Sequence, residues 1–276
     1  MAKSHRKRAR KVGEDAGKEF IPGIFNYCDR WCERCAFTAR CRVFDMSEGG
    51  PVDPRTRDIN NKEFWQKLDG ILKETLRMIR ADAERQGIDL DSIDLSEEMQ
   101  VEERREEQAR AHSCAVAAKT YADRVSAWCQ ANESSLERLR DEFAAQALAA
   151  LPGTDPEADA AAFVDAIEVI LYHQHQIWVK LMRALDGLLE GVPREIADMP
   201  KDSDGSAKVA LIGIDRSIAS WGTLLKQFPE QERDILGTLV LLERLRRETE
   251  ATFPDARAFH RVGFDDAPVE VPDTWL

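Results

Sequence analysis

Apolar positions along most of this chain recur every three or four residues, the period at which side chains share one face of an α-helix. Phe64, Leu68, Leu72, Leu76 and Ile79 form the first such stripe. They predict a helix over about Asn60–Gln86 as a member of a helical body, stopped by Gly87. A loop over Asp89–Asp94 follows, and Ser96 with Glu98 opens a second helix. Its first part, Glu97–Arg110, is almost wholly charged. Its second part, Ala111–Ala131, is rich in alanine, which allows close helix approach. A third helix is expected over Asn132–Leu151, ended by Pro152 and Gly153. A fourth runs over Asp159–Leu189, stopped by Gly191 and Pro193. The fifth, Ala207–Phe228, has Ser203 or Asp204 as its cap, and the sixth, Glu230–Thr252, ends at Pro254.

Residues 255–276 have no period, and Phe259, Phe264 and Trp275 are expected to pin this irregular C-terminal tail to the body. No alternation of strand type occurs, and no internal repeat. The expected fold is therefore all-α: an antiparallel helical bundle of about six helices over residues 58–254. Ahead of it lie a basic flexible tail (1–19), a cysteine-rich metal-binding unit (20–46) and a turn-rich linker (47–57).

Composition sharpens this picture. The 276 residues are 43% hydrophobic, enough for a packed core, and 33% charged, the excess that long solvated helices carry. No run of about 18 apolar residues occurs, so no membrane span is expected. The net charge of −12 is unevenly placed: residues 1–43 hold 11 Lys and Arg against 5 acids, leaving 28 against 46 in the remainder. The basic start, Met1 to Lys11, is followed by Gly13, Glu14 and Asp15 and not by an apolar stretch, which predicts a cytoplasmic protein. In a reducing compartment, six cysteines point to metal binding or burial rather than disulfides.

Four of the six lie within 14 residues, as Cys28-x3-Cys32-x2-Cys35-x5-Cys41. Four soft thiolates so spaced can wrap one tetrahedral zinc ion or one 4Fe–4S cluster. Either centre is anionic, and Arg30, Arg34, Arg40 and Arg42 beside the ligands would offset that charge. The Cys32, Cys35 and Cys41 part resembles the last three ligands of the 4Fe–4S site in helix-hairpin-helix DNA glycosylases. Those enzymes have six residues in the first gap, where this chain has three. The resemblance implies a cluster type, not glycosylase activity; ligand softness and spacing tip the cofactor slightly toward 4Fe–4S over zinc. Cys114 and Cys129 stand fifteen residues apart on one helix, about 22 Å along its axis, and read as buried small hydrophobes.

On the fourth helix, Phe163, Ile167, Ile170, Ile177, Trp178, Leu181 and Leu185 set an apolar arc. Gln174 falls near its middle, with His173 and His175 at opposite edges. Either Gln174 bonds to a neighbouring helix, or a polar pocket forms from Gln174, one of the histidines and Tyr172 or Lys180. Lys208 and Asp215 share one edge of the fifth helix and are expected to bridge to neighbours such as Arg183 or Glu168. A carboxylate di-iron centre needs Glu-x-x-His pairs, and Glu168 has Leu171 at that offset.

Three function classes follow. The leading expectation is a cytoplasmic metalloprotein whose four-cysteine site serves a binding, regulatory or electron-transfer module with a protein or small-molecule partner. The second is a redox enzyme with a substrate pocket near Gln174. The third is a nucleic-acid-associated protein using the basic N-terminus, which the net −18 of the remaining chain opposes.

Overall fold

A computed structural model describes residues 19–48, 61–149, 155–191 and 200–266. Residues 1–18 of the expected basic tail, most of the linker, the Pro152, Gly153 and Pro193 stops and Trp275 lie outside the described residues. Among the described residues there are eight α-helices, short 3-10 turns and no strand. No helix among them is long and apolar enough to cross a membrane. The helices are α1 (Arg42–Glu48), α2 (Lys62–Gln86), α3 (Ser96–Ala111), α4 (Ser113–Ala131), α5 (Glu133–Ala149), α6 (Pro156–Glu190), α7 (Asp202–Gln227) and α8 (Glu232–Thr252). The chain divides into two compact units. The first comprises residues 1–26 and 30–101, the second residues 27–29 and 102–276.

In the first unit, α1 takes in Ser47 and Glu48, which the sequence places in a linker. Helix α2 ends as expected: Gly87 adopts the left-handed conformation (φ 72°), and its N–H bonds back to the carbonyls of Ala83 and Glu84. Its apolar stripe differs from expectation. Leu72, Leu76 and Ile79 are half or more exposed, and Ala83 is the residue of this helix that is buried. Within this unit α2 is held by its own i,i+3 and i,i+4 pairs, among them Lys73–Asp69 (2.8 Å) and Arg77–Glu74 (2.6 Å).

The second unit carries the main core, built from α4, α6, α7 and α8 with Phe143 of α5. Helix α6 begins where local chemistry favours a start. The Asp155 side chain accepts the N–H of Ala158, and Pro156 occupies the first turn, where its missing N–H costs nothing. Helices α6 and α7 run antiparallel, because Gly187 late in α6 meets Ser203 early in α7, while His173 meets Gly213 further on. The core is aromatic at one end. Trp128 packs edge-on against Trp221 (5.0 Å) and Phe228 (5.6 Å), and the Trp221 indole N–H donates to the Tyr121 hydroxyl at 3.2 Å.

Three expectations are corrected here. The single helix expected from Ser96 through Ala131 is two helices, broken at His112 (φ −65°, ψ 140°), whose ring Nδ1 accepts the Cys114 N–H at 3.2 Å. Helix α7 starts at Asp202 after Lys201, so Ser203 and Asp204 sit buried in its first turn and do not cap it. Third, the buried seam of α6 centres on His173, fully buried with Ile170 and Ile177, while His175 is exposed. Cys114 and Cys129 do share one helix, and burial pushes both thiols up.

Candidate metal centre

The cysteine segment is a chain of tight turns. Arg30 takes a left-handed conformation (φ 65°), uncommon for a residue with a side chain. An inverse γ-turn follows at Trp31 (φ −81°, ψ 72°), closed by the Cys32 N–H donating to the Arg30 carbonyl at 2.9 Å. Two 3-10 turns come next, Cys32–Arg34 and Thr38–Arg40, each ending on a cysteine. Cys35 N–H bonds to the Cys32 carbonyl (3.2 Å), and Cys41 N–H bonds to the Thr38 carbonyl (3.2 Å). Between them the Phe37 N–H donates to Cys35 Sγ at 3.4 Å. A backbone donor aimed at sulfur favours the thiolate, the form that ligates metal.

Cys28, Cys32, Cys35 and Cys41 are all half-buried. Among the described residues no group of three or more His, Cys, Asp and Glu side chains stands ready to hold a metal ion. Two of the four flanking arginines are engaged locally. Arg34 stacks over the Trp31 ring at 4.2 Å, and Arg40 Nε donates to the Glu19 carbonyl at 3.4 Å.

Residues Tyr27 to Asp29, which include Cys28, belong to the second unit and are fastened there from both sides. Tyr27 meets Phe259 edge-on (4.6 Å), and its hydroxyl donates to Asp202 at 3.0 Å. Burial together with that carboxylate pushes the Tyr27 phenol up to about 12. The ring lies over Gly205 of α7, where an added Cβ would stand 2.4 Å from Tyr27 Cε1. Asp202 is itself held by Arg183 Nη2 at 2.6 Å. On the other side, the Asp29 carbonyl accepts the Tyr172 hydroxyl (2.9 Å) and the Gln176 side-chain amide, and the Asp29 carboxylate accepts Arg216 at 2.7 Å.

The polar residues expected to line a pocket therefore separate. Tyr172 binds the backbone beside Cys28. His173 Nδ1 meets Gln176 Oε1 at 3.0 Å, and burial lowers its basicity. Gln174 Oε1 is buried with no hydrogen-bond partner among the described residues, Lys180 is half-buried, and His175 faces away. Lys208 and Asp215 are not bridged to Arg183 or Glu168. Lys208 donates to the Phe259 carbonyl and to Asp265 (2.8 Å), while Asp215 pairs with Arg257 (2.6 Å) and Arg246 (3.8 Å). Burial would raise the Asp265 carboxyl, but Arg261 and Lys208 hold it well below the usual carboxylate range.

Sequence reasoning passed over Tyr27, Asp29, Gln176 and Arg216. One signal was available: Tyr172 and Gln176 stand four residues apart, hence on one helix face, and both are donors. No protein-family model matches this chain, and neither a curated protein nor a solved structure is significantly similar to it.

Proposed function

We propose that this chain is a cytoplasmic metalloprotein in which Cys28, Cys32, Cys35 and Cys41 hold one centre, a 4Fe–4S cluster or a zinc ion. In this reading the centre is a metal knot on an antiparallel helical bundle, and the whole is a binding, regulatory or electron-transfer module. The observation that carries the reading is the Phe37 N–H aimed at Cys35 Sγ (3.4 Å) between two turns that each end on a cysteine. Metal itself draws the thiolates together, since ligand assembly and metal binding are linked in small cysteine-rich units. The test is metal analysis with an absorbance scan on anaerobically purified full-length protein. One cluster with its visible thiolate-to-iron band supports 4Fe–4S, and one colourless zinc per chain supports zinc. A protein without stoichiometric metal refutes both.

A second reading, a redox enzyme acting on a substrate near Gln174, draws support from one contact. Tyr172 and Gln176 hold the carbonyl next to Cys28, on the same turns of α6 as the unsatisfied Gln174 oxygen. Replacing Gln174 with Leu would then abolish substrate-dependent oxidation of the reduced centre while leaving metal content unchanged.

A further inference from the structure

Away from the cysteine segment, the last turn of α4 and the first turns of α8 enclose a half-open cleft of about 570 Å³. In the second unit Arg105, Arg183, Arg216 and Arg257 each stand 2.6–2.7 Å from a carboxylate. Arg124 and Arg233, which line the cleft, form no ion pair among the described residues, although the chain carries 51 acids.

Arg124 of α4 and Arg233 of α8 line the cleft from its two sides. Arg124 reaches across from α4 to Gly237, where an added Cβ would stand 3.3 Å from its Nη1. Arg233 is four residues before Gly237 and so lies on that face of the helix. The half-buried Gln231 adds an amide group, the buried Asn132 amide donates to the Trp128 carbonyl, and Ala127, Trp128 and Ala131 supply the apolar lining. Asp234 also lines the cleft, which leaves its three charged residues at net +1.

We infer that this cleft binds a small ligand with a single oxyanion head, a carboxylate or a phosphate monoester, on an apolar body. Paired guanidinium groups match such a head because their N–H forks align with its oxygens. The volume suits one small molecule, and the lining of Ala127, Trp128 and Ala131 takes its apolar part. The inference does not depend on the metal reading.

The test titrates full-length protein with benzoate and with phenyl phosphate, read by calorimetry and by tryptophan fluorescence. At least one probe should bind wild type, and benzyl alcohol, which has the ring but no charge, should not. Arg124→Ala and Arg233→Ala should each weaken binding about tenfold, the scale of one charge-assisted bond. Both side chains are exposed, so the variants keep the fold, checked by circular dichroism. Gly237→Ala, which crowds Arg124 without removing charge, should also weaken binding. Benzoate binding without phenyl phosphate binding assigns a carboxylate ligand, and the reverse assigns a phosphate ester. Failure of both probes overturns the inference. So does equal binding by wild type and the Arg124→Ala/Arg233→Ala double variant, which would place the anion elsewhere.

Discussion

Gly205→Ala is the sharpest probe of how the Cys28 segment is held. The new Cβ would stand 2.4 Å and 2.5 Å from Tyr27 Cε1 and Cδ1, and 2.7 Å from Phe259 Cζ. Carbon atoms do not approach so closely, and both obstacles are ring atoms facing a rigid helix, so at least one ring must leave. Expelling Tyr27 loses its edge contact with Phe259, worth about 1 kcal/mol, and its bond to Asp202, about 1 kcal/mol at this exposure. Overpacking strain that the rings do not relieve adds about 1 kcal/mol. Alanine in the interior of α7 returns about 1 kcal/mol of helix propensity. The net expectation is a loss of about 1–2 kcal/mol, a drop of about 0.5–1 M in urea midpoint by circular dichroism. In a Tyr27→Ala background the same substitution should cost clearly less, because the larger obstacle is gone. A Gly205→Ala protein as stable as wild type, or more stable, would refute the packing of Tyr27 on α7.

Other expectations follow from the same contacts. His173 has a native pKa lowered chiefly by burial, so the unfolded chain binds a proton that the folded one refuses. Stability should therefore fall as pH drops through about 6.5, by at most about 1.4 kcal/mol per pH unit, and level off below the lowered native value. His173→Gln should flatten that segment in urea titrations at stepped pH, and an unchanged slope would contradict it. Asp265 has a native pKa lowered by Arg261 and Lys208 against the opposing effect of burial, so its stabilisation is complete above about 3.9 and lost as pH falls further. Asp265→Asn should cost about 1–3 kcal/mol by leaving the largely buried Lys208 ammonium with a carbonyl alone, and the acid-side loss should shrink in that variant. Iodoacetamide on native, chelator-treated protein should alkylate Cys28, Cys32, Cys35 and Cys41 well before Cys114, which is fully buried with its thiol pushed up. Mass spectrometry showing Cys114 modified first would contradict that placement.

The helical character of this chain was legible because it is a local property. Periodicity located α2, α5, α6 and α8 to within a few residues, and Gly87 marked a true stop, while the start of α7 was placed too late. The misreadings came where a distant partner or an unusual cap decides. His112 breaks the alanine-rich stretch by using its ring to accept an N–H, a role that sequence habit assigns to Ser, Thr, Asp or Asn. The α6 seam was misaimed because its arc was drawn through large side chains alone. The buried line includes Ala166 and Ala184, small residues that share the seam of His173. The partners of Lys208 and Asp215, namely Asp265 and Arg257, come from the C-terminal stretch without periodicity, which offered nothing to place them.

The cysteine spacing was visible at once, but the fastening of its first member was not. Asp29 reads as an ordinary loop carboxylate until Tyr172, Gln176 and Arg216 converge on it from α6 and α7. Those contacts depend on how two helices pack, which no residue near Cys28 records.

The most direct test of the central claim is metal stoichiometry in anaerobically purified wild type beside a Cys32→Ser/Cys35→Ser variant. The account predicts one 4Fe–4S cluster, or one zinc ion, per wild-type chain, and its loss from the variant with helical content retained. Wild type without stoichiometric metal, or a variant that keeps the metal in full, would contradict it.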